Sequence, residues 1–448
     1  MTRRVLVANR GEIAVRVVRA CHAAGFEAVA VYSDADRDAT WVHRADAAHH
    51  IGKSPAPKSY LDGDALLGAA KAAECSLVHP GYGFLSESAD FARSVEDAGL
   101  GFVGPPASAI ALMGDKASAR RAAEEAGVPV VPGSGPVADV AEARRAAAEI
   151  GYPLLVKASA GGGGRGIRPV RDEAELAEVL PAAQAEARNA FGDGTTYLER
   201  ALPRTRHVEV QVLADGRGNA IHLFERDCSV QRRRQKLIEE APAPGLDAGT
   251  RDTVCAAAVR LAEHVGYRGA GTVEFLVDEQ QNPYFIEMNT RIQVEHPITE
   301  VITGVDLVAE QLRVATGEPL SLGQQDVRPR GAAVELRINA EDPDSGFAPS
   351  PGEVTTFDLP GGPGVRVDTG LVRDARISPF YDSLIAKLIC WGADREQAFA
   401  RARQALDEFA VEGVASTVAL QRRLTANAEL LGGPVDTLWL EELLDDRR

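Results

Sequence analysis

The first 33 residues constrain the fold more than any other segment. Residues 5–8 (Val-Leu-Val-Ala) are an unbroken apolar run, residues 11–24 carry Ile13, Val17, Val18 and Cys21 at helical spacing, and residues 27–32, apolar after Glu27, read as a second strand that stops at Ser33-Asp34. Apolar positions every three to four residues mark one helix face, and short apolar runs between turn residues mark buried strands. Strand, helix and strand in that order form a βαβ unit with parallel strands. Residues 77–80 and 101–104 read as further strands of the same sheet, with 65–73 and 89–98 as helices between them. A doubly wound parallel α/β domain over residues 1–113 is therefore expected. The first turn, Ala8-Asn9-Arg10-Gly11-Glu12, holds one glycine where a dinucleotide fingerprint needs three. Asp34 and Asp36 stand where a ribose-binding acid would be sought, but a structural domain without nicotinamide is the better reading.

Composition narrows the function classes. A chain of 448 residues can form several domains, and 45% hydrophobic with 25% charged residues is ordinary globular composition. The formal net charge of −16 repels nucleic acid and anionic membrane, so neither is expected as a partner. The five cysteines are odd in number, scattered and without a CxxC pair, which argues against a disulfide framework or zinc ribbon and for a cytoplasmic protein. The apolar run near Met1 is too short for a signal peptide, and no stretch approaches a membrane span.

Behind residue 113 the pattern becomes mixed. Residues 116–126 read as a helix, 127–133 as a strand between turn residues, 139–150 as a helix and 154–157 as a strand. After the glycine-rich run, 173–188 reads as helix and 196–200 as strand, so residues 129–202 suggest a small α+β lid subdomain. Strands follow at 207–213, 220–226, 271–277 and 283–287; the turn signals Asp215-Gly216 and Gln281-Asn282-Pro283 predict two hairpins. Past Arg328-Pro329-Arg330-Gly331 the character changes. Residues 334–339 read as a strand, 349–363 as short strands and turns, and 397–409 as a helix. The expected division is 1–113, 114–330 and a mainly β C-terminal domain with helices over 331–448.

Four groups of residues carry chemistry. Gly161, Gly162, Gly163 and Gly164, with Arg165 and Gly166, follow a strand ending in Lys157. Consecutive glycines let backbone N–H groups surround a phosphate, and the lysine puts a cation at the loop's mouth. No Walker Gly-Lys-Ser/Thr is present, so a mobile phosphate-covering loop is expected instead of a P-loop. Glu274 and Glu287 lie on two strands joined by a short turn, which can set the carboxylates side by side. Two such acids call for a cation; Mg²⁺ fits, with Mn²⁺ as the alternative, and Asn289 adds a neutral oxygen. Arg291, Gln293 and Glu295 alternate, and in an extended segment they would point the same way as a cradle for a small oxyanion, the acid serving as base. The run Gln231-Arg-Arg-Arg-Gln-Lys236 is read as a local anion site.

Taken together these groups follow the ATP-grasp order. With Val7-Ala-Asn-Arg-Gly-Glu-Ile13, His79-Pro-Gly-Tyr-Gly-Phe-Leu-Ser-Glu87, Glu225-Arg-Asp-Cys-Ser229, Glu239-Glu-Ala-Pro242 and Arg337-Ile-Asn-Ala-Glu341, the chain from Val5 to about Glu412 resembles the biotin carboxylases. The resemblance implies that Lys116 and Lys157 hold ATP phosphates under the glycine loop, that Glu199 and Leu202 border the adenine, and that His207 lies by the ribose, with Gln231 also on the nucleotide. It implies Glu274, Glu287 and Asn289 as metal ligands. Lys236, Arg291, Gln293 and the Val294 backbone would bind bicarbonate, Glu295 would be the general base, Arg337 would stabilise the biotin enolate, and Tyr82 would lie near the biotin ring.

Three departures stand out: Arg234 where the family often has His, Glu199-Arg-Ala-Leu202 for Glu-Lys-Tyr-Leu, and Ile167 for Met. Only Met1, Met113 and Met288 occur and none precedes a lysine, so no biotinylation motif is present. A biotin carboxyl carrier protein and a carboxyltransferase are therefore expected in trans, in an acyl-CoA carboxylase with acetyl-CoA as first choice, and the family resemblance also implies a homodimer. A different ATP-grasp ligase would need neither Arg337 nor the 291–295 cradle. A nucleotide-binding paralogue without catalysis would not keep Glu295, Lys236 and Arg337 together.

Overall fold

The computed structural model describes residues 3–159 and 166–445. Gly161, Gly162, Gly163 and Gly164 lie outside the described residues. Strands β1 (Arg4–Val7), β2 (Glu27–Ser33), β3 (Ala47–Gly52), β4 (Leu77–His79) and β5 (Gly101–Phe102) form a parallel sheet in the order β3-β2-β1-β4-β5. Helix Gly11–Ala23 buries Ile13, Val17, Val18 and Cys21 on one face of this sheet, while Leu66, Phe91 and Ile110 fill the other. Strand β3 is absent from the sequence-based expectation. Its residues, Ala-Ala-His-His-Ile-Gly, have neither an apolar run nor alternation, and only pairing with β2 makes them a strand.

Strands β6 (Gly133–Val137), β7 (Leu154–Ala158), β8 (Ile167–Val170) and β9 (Thr196–Arg200) form a separate antiparallel sheet in the order β6-β9-β7-β8. Helices Val140–Ile150 and Glu173–Phe191 accompany it, and Ala143, Ala147, Leu154, Leu176 and Leu180 give it a small core of its own. The strand expected over 127–133 is not there. Pro129 and Pro132 have no N–H to give a ladder, so this stretch makes one bridge, Val130 to Phe285, and the strand starts at Gly133.

The largest sheet positions the site. It runs β14 (Pro283–Asn289), β13 (Arg268–Asp278), β10 (Thr205–Asp215), β11 (Ala220–Arg232), β12 (Gln235–Ala241), β15 (Ala332–Asn339), then strands Leu384–Gly392 and Val365–Thr369. Both expected hairpins, β10–β11 and β13–β14, are antiparallel pairs. Every residue of β10 is buried. Val208, Val210 and Val212 turn into apolar cores on one face, each such burial contributing about 1.5–3 kcal/mol. The alternate residues His207, Glu209 and Gln211 are buried on the opposite face. Polar side chains at that depth must find partners. The basic run is the tip of the β11–β12 hairpin. Gln231 and Lys236 sit opposite one another at its base, and Arg233 and Arg234 turn the chain with φ of +47° and +67°. Helix Arg395–Glu408 and its neighbours close the far end over Leu336, Leu388, Phe399 and Phe409. No helix among the described residues is long and apolar enough to cross a membrane.

Candidate active site

One row of cross-strand neighbours organises the site. Arg226 on β11 is opposite Glu209 on β10, Glu209 is opposite Glu274 on β13, and Glu274 is opposite Glu287 on β14. Three acids side by side repel unless cations intervene. At the inner end Arg226, fully buried, donates from Nε to Glu209 Oε1 at 2.6 Å and spends its remaining donors on Gln211, Thr299 and Thr272. At the centre Lys236 donates to Glu209 Oε2 at 2.6 Å, to Glu295 Oε1 at 2.5 Å and to Glu274 Oε1 at 3.5 Å. His207 Nε2 lies 3.0 Å from Glu274 Oε2. Burial alone would raise the Glu274 carboxyl, but Lys236 and His207 outweigh it and hold the pKa below the ordinary range.

The outer end of the row is different. Among the described residues no cation stands within ion-pair distance of Glu287, whose residue is exposed. Partial desolvation and the facing Glu274 push its carboxyl up, with Lys116 pulling the other way. Asn289 donates to Glu274 Oε1 at 2.7 Å, so its amide is already in the cluster. Two facing carboxylates and an amide oxygen are a hard-donor set that suits Mg²⁺ or Mn²⁺. His207, Glu209 and Glu274 also bring ligand atoms within 4.8 Å of one another, but Arg226 and Lys236 already neutralise Glu209 there.

The segment 291–295 is not the extended strand expected of it. It is a turn leading into helix His296–Thr303, with Glu295 at the helix N-cap position. Its side chains converge all the same, through hydrogen bonds instead of strand alternation. Arg291 donates to Gln293 Oε1 at 2.8 Å, to Asn289 Oδ1 at 2.9 Å and to Glu87 Oε2 at 2.9 Å. Gln293 donates to Glu274 Oε1 at 3.1 Å. Glu295, 1% exposed, accepts from Lys236 and from Arg337 Nη2 at 2.9 Å. Burial works against its charge, but Lys236, Arg337 and Arg226 hold its pKa well below the usual carboxylate range. Arg337 is anchored from behind, its Nε donating to Glu239 Oε1 at 2.5 Å.

Glu274, Asn289, Arg291, Gln293, Glu295, Lys236 and Arg337 thus form one continuous network, with His207 and Glu287 beside it. Gln231 is buried directly across from Lys236. Lys157 instead pairs with Glu199 on the neighbouring sheet, Leu202 follows that sheet's last strand, and Lys116 is an exposed residue at the start of helix Lys116–Glu125; none of these touches the network. The Tyr82 hydroxyl donates to Glu12. Four network members had no role expected from sequence: Glu87, Glu209, Arg226 and Glu239. Glu209 was detectable, since His207, Glu209 and Gln211 alternate with valines in an otherwise apolar strand. Glu87 and Glu239 sat inside family-like segments but showed no partner until the chain was folded.

A lid-sized sheet beside a carboxylate-lined antiparallel sheet, behind a parallel α/β unit, defines an ATP-grasp enzyme. Three family models match in succession: "Biotin carboxylase, N-terminal domain" over residues 1–110, "Carbamoyl-phosphate synthase L chain, ATP binding domain" over 115–322, and "Biotin carboxylase C-terminal domain" over 335–442. The chain is 53% identical to the biotin carboxylase of Pseudomonas aeruginosa and 51% identical to that of a Nostoc species, covering 99% of each relative. It also superimposes on the biotin carboxylase–β,γ-ATP complex of Campylobacter jejuni with TM-score 0.92 at 44% identity, covering 99% of each chain. A further match, TM-score 0.91 at 49% identity and covering 99% and 98% of the two chains, is the biotin carboxylase domain dimer of Hydrogenobacter thermophilus 2-oxoglutarate carboxylase with MgADP, ADP and bicarbonate. The chain belongs to the biotin carboxylase family.

Proposed function

We propose that this protein carboxylates biotin with bicarbonate at the expense of ATP, forming a C–N bond and releasing ADP and phosphate. The network joining Glu274 to Glu295 and Arg337 through Lys236 supports this reading, because it brings carboxylates suited to a metal-bound polyphosphate beside cations suited to a small carbon oxyanion. Lys116 and Lys157 hold the phosphates under the glycine loop, Glu199 and Leu202 border the adenine, and His207 and Gln231 complete the nucleotide pocket. Glu274, Glu287 and Asn289 hold Mg²⁺, which when bound neutralises phosphate charge. The parts 1–113, 114–330 and 331–448 serve as the three domains.

Bicarbonate sits against Lys236, Arg291, Gln293 and the Val294 N–H. Glu295 takes its proton as it attacks the γ-phosphorus, and carboxyphosphate and ADP result. A carboxylate held by two cations is a weak base. As bicarbonate and phosphate oxygens compete for Lys236 and Arg337, their grip on Glu295 loosens and its basicity rises. Carboxyphosphate breaks to CO₂ and phosphate, the phosphate takes the ureido proton of biotin, the enolate oxygen faces Arg337 near Tyr82, and the ureido nitrogen attacks CO₂ to form the C–N bond of carboxybiotin. Arg337 stays charged throughout and is anchored by Glu239, so it needs no reorganisation.

The biotin belongs to a carrier protein, and a carboxyltransferase in trans takes the carboxyl group onward. One relative is named for pyruvate carboxylase and one similar solved domain for 2-oxoglutarate carboxylase, so the acceptor varies with the transferase, and acetyl-CoA is the first to try. A homodimer in the cytoplasm is the expected assembly. ADP release measured with bicarbonate, with and without free biotin, tests the proposal. Stimulation by biotin supports it, and ADP release indifferent to both bicarbonate and biotin contradicts it.

A further inference from the structure

Lys387 is fully buried in the middle of the apolar strand Leu384–Gly392. A buried ammonium is costly unless it is paired and hydrogen-bonded, so its partners show what it is for. Its Nζ donates to the carbonyl oxygen of Val294 at 2.8 Å and lies 3.1 Å from Glu12 Oε1. Glu12, 5% exposed on helix Gly11–Ala23, accepts the Tyr82 hydroxyl. An unbroken polar line therefore runs from Tyr82 through Glu12 and Lys387 to the backbone of Val294. It joins segments far apart in the chain, Glu12 and Lys387 above all, and none of its links belongs to the network of Lys236 and Glu295.

The peptide group is planar, so fixing the Val294 carbonyl fixes the orientation of the bond into Glu295. It also holds the turn that presents the Val294 N–H. Around Lys387 the facing titratable groups are Arg337 and Asp368 on the two strands paired with its own, Glu335 on the same strand as Arg337, and His296; burial favours the neutral form of the last two. Arg337 and Asp368 stand directly opposite it in register.

We propose that Lys387 and Glu12 are positioning residues, a buried strut that sets the bicarbonate-binding turn at Val294 and ties it to Tyr82. The inference rests on the proposed function. Its expected consequence is a linkage: loosening the strut weakens bicarbonate and biotin together and leaves ATP alone, because no nucleotide ligand is on the line.

The test uses the full chain. Lys387→Met alone would leave Glu12 buried without its cation, so the informative variant is Glu12→Gln with Lys387→Met, which removes both charges at similar volume. A cooperative melting curve establishes that it folds. Its KM for bicarbonate should rise about tenfold, the value of a lost hydrogen bond to a charged group, and its KM for free biotin should rise as well. The KM for ATP should stay within about twofold, a difference too small to represent a lost contact. Tyr82→Phe removes only one hydroxyl and provides a second arm; it should raise the KM for bicarbonate as well as for biotin. A folded double variant with unchanged bicarbonate KM, or Tyr82→Phe moving the biotin KM alone, overturns the strut. Failure of the double variant to fold leaves Tyr82→Phe to decide. An unmodified chain that shows no bicarbonate-dependent ADP release overturns the proposed function, and the strut with it; an active unmodified chain beside unaffected variants overturns the strut alone.

Discussion

Lys236 is the residue on which the buried charges depend. Its ammonium contacts Glu209, Glu274 and Glu295, whose residues are 0%, 6% and 1% exposed, and among the described residues no other cation spans all three. Lys236→Met would leave Glu274 and Glu295 short of positive charge, and breaking a buried pair costs about 3–5 kcal/mol. Urea unfolding of the variant should show a loss of that size, with biotin-dependent turnover abolished. Glu295→Gln keeps the shape but cannot accept a proton. Nucleotide binding should survive in it, while turnover falls by about 10²–10⁴-fold; undiminished turnover would remove Glu295 from the mechanism. At this scale the sequence was informative where a residue's own chemistry is unusual for its setting. Paired glutamates on a hairpin and a cation, amide and acid within five positions pointed to the site. Glu239 and Arg226 were not legible, because their significance is a partner that lies on another strand.

At the scale of elements, β12 and β15 carry a conflict that the fold resolves with a proton. Glu239 and Glu335 face each other in register and both are fully buried. Among the described residues neither oxygen of Glu335 has a hydrogen-bond partner, and burial pushes this carboxyl well up, with Glu239 adding to the effect of burial and Lys387 opposing it. Burial also lifts Glu239 from 4.5 to about 7 despite Arg337. Below pH 4.5 folded and unfolded chains both hold the Glu239 proton. Between 4.5 and about 7 only the folded chain does, so this group's contribution to stability is lost as the pH rises through that window and is flat above it. The unfolding free energy from urea titrations should therefore fall from about pH 5 to about pH 8 more steeply in the natural chain than in Glu239→Gln, by on the order of 2–3 kcal/mol. Parallel curves would show that Glu239 does not titrate there. Elements with a strong period, such as helix Gly11–Ala23 and strand Thr196–Arg200, were readable within a residue or so. The misses have physical causes: prolines that cannot pair at 129 and 132, an edge strand at 47–52 defined only by its neighbour, and a turn at 291–295 whose side chains meet through hydrogen bonds.

For the whole molecule, the eight-stranded sheet runs without a break from the Glu274 and Glu287 strands to the strands behind residue 331. Arg337 and Lys387 reach the site from those last strands, while Glu12, Tyr82 and Glu87 reach it from the N-terminal part. No single part of the chain owns the site, which is why the order of motifs pointed to the family while their meeting needed the fold. Metal removal acts at this level too: a chelator should abolish ADP release, and Mg²⁺ or Mn²⁺ should restore it, if the Glu274–Glu287 pair holds the ion. The most direct measurement follows the carbon. With isotopically labelled bicarbonate, ATP, Mg²⁺ and free biotin, labelled carboxybiotin should form in step with ADP, and from Glu295→Gln only about 10²–10⁴-fold more slowly. ADP formed without label on biotin, or label carried undiminished by Glu295→Gln, would contradict this mechanism.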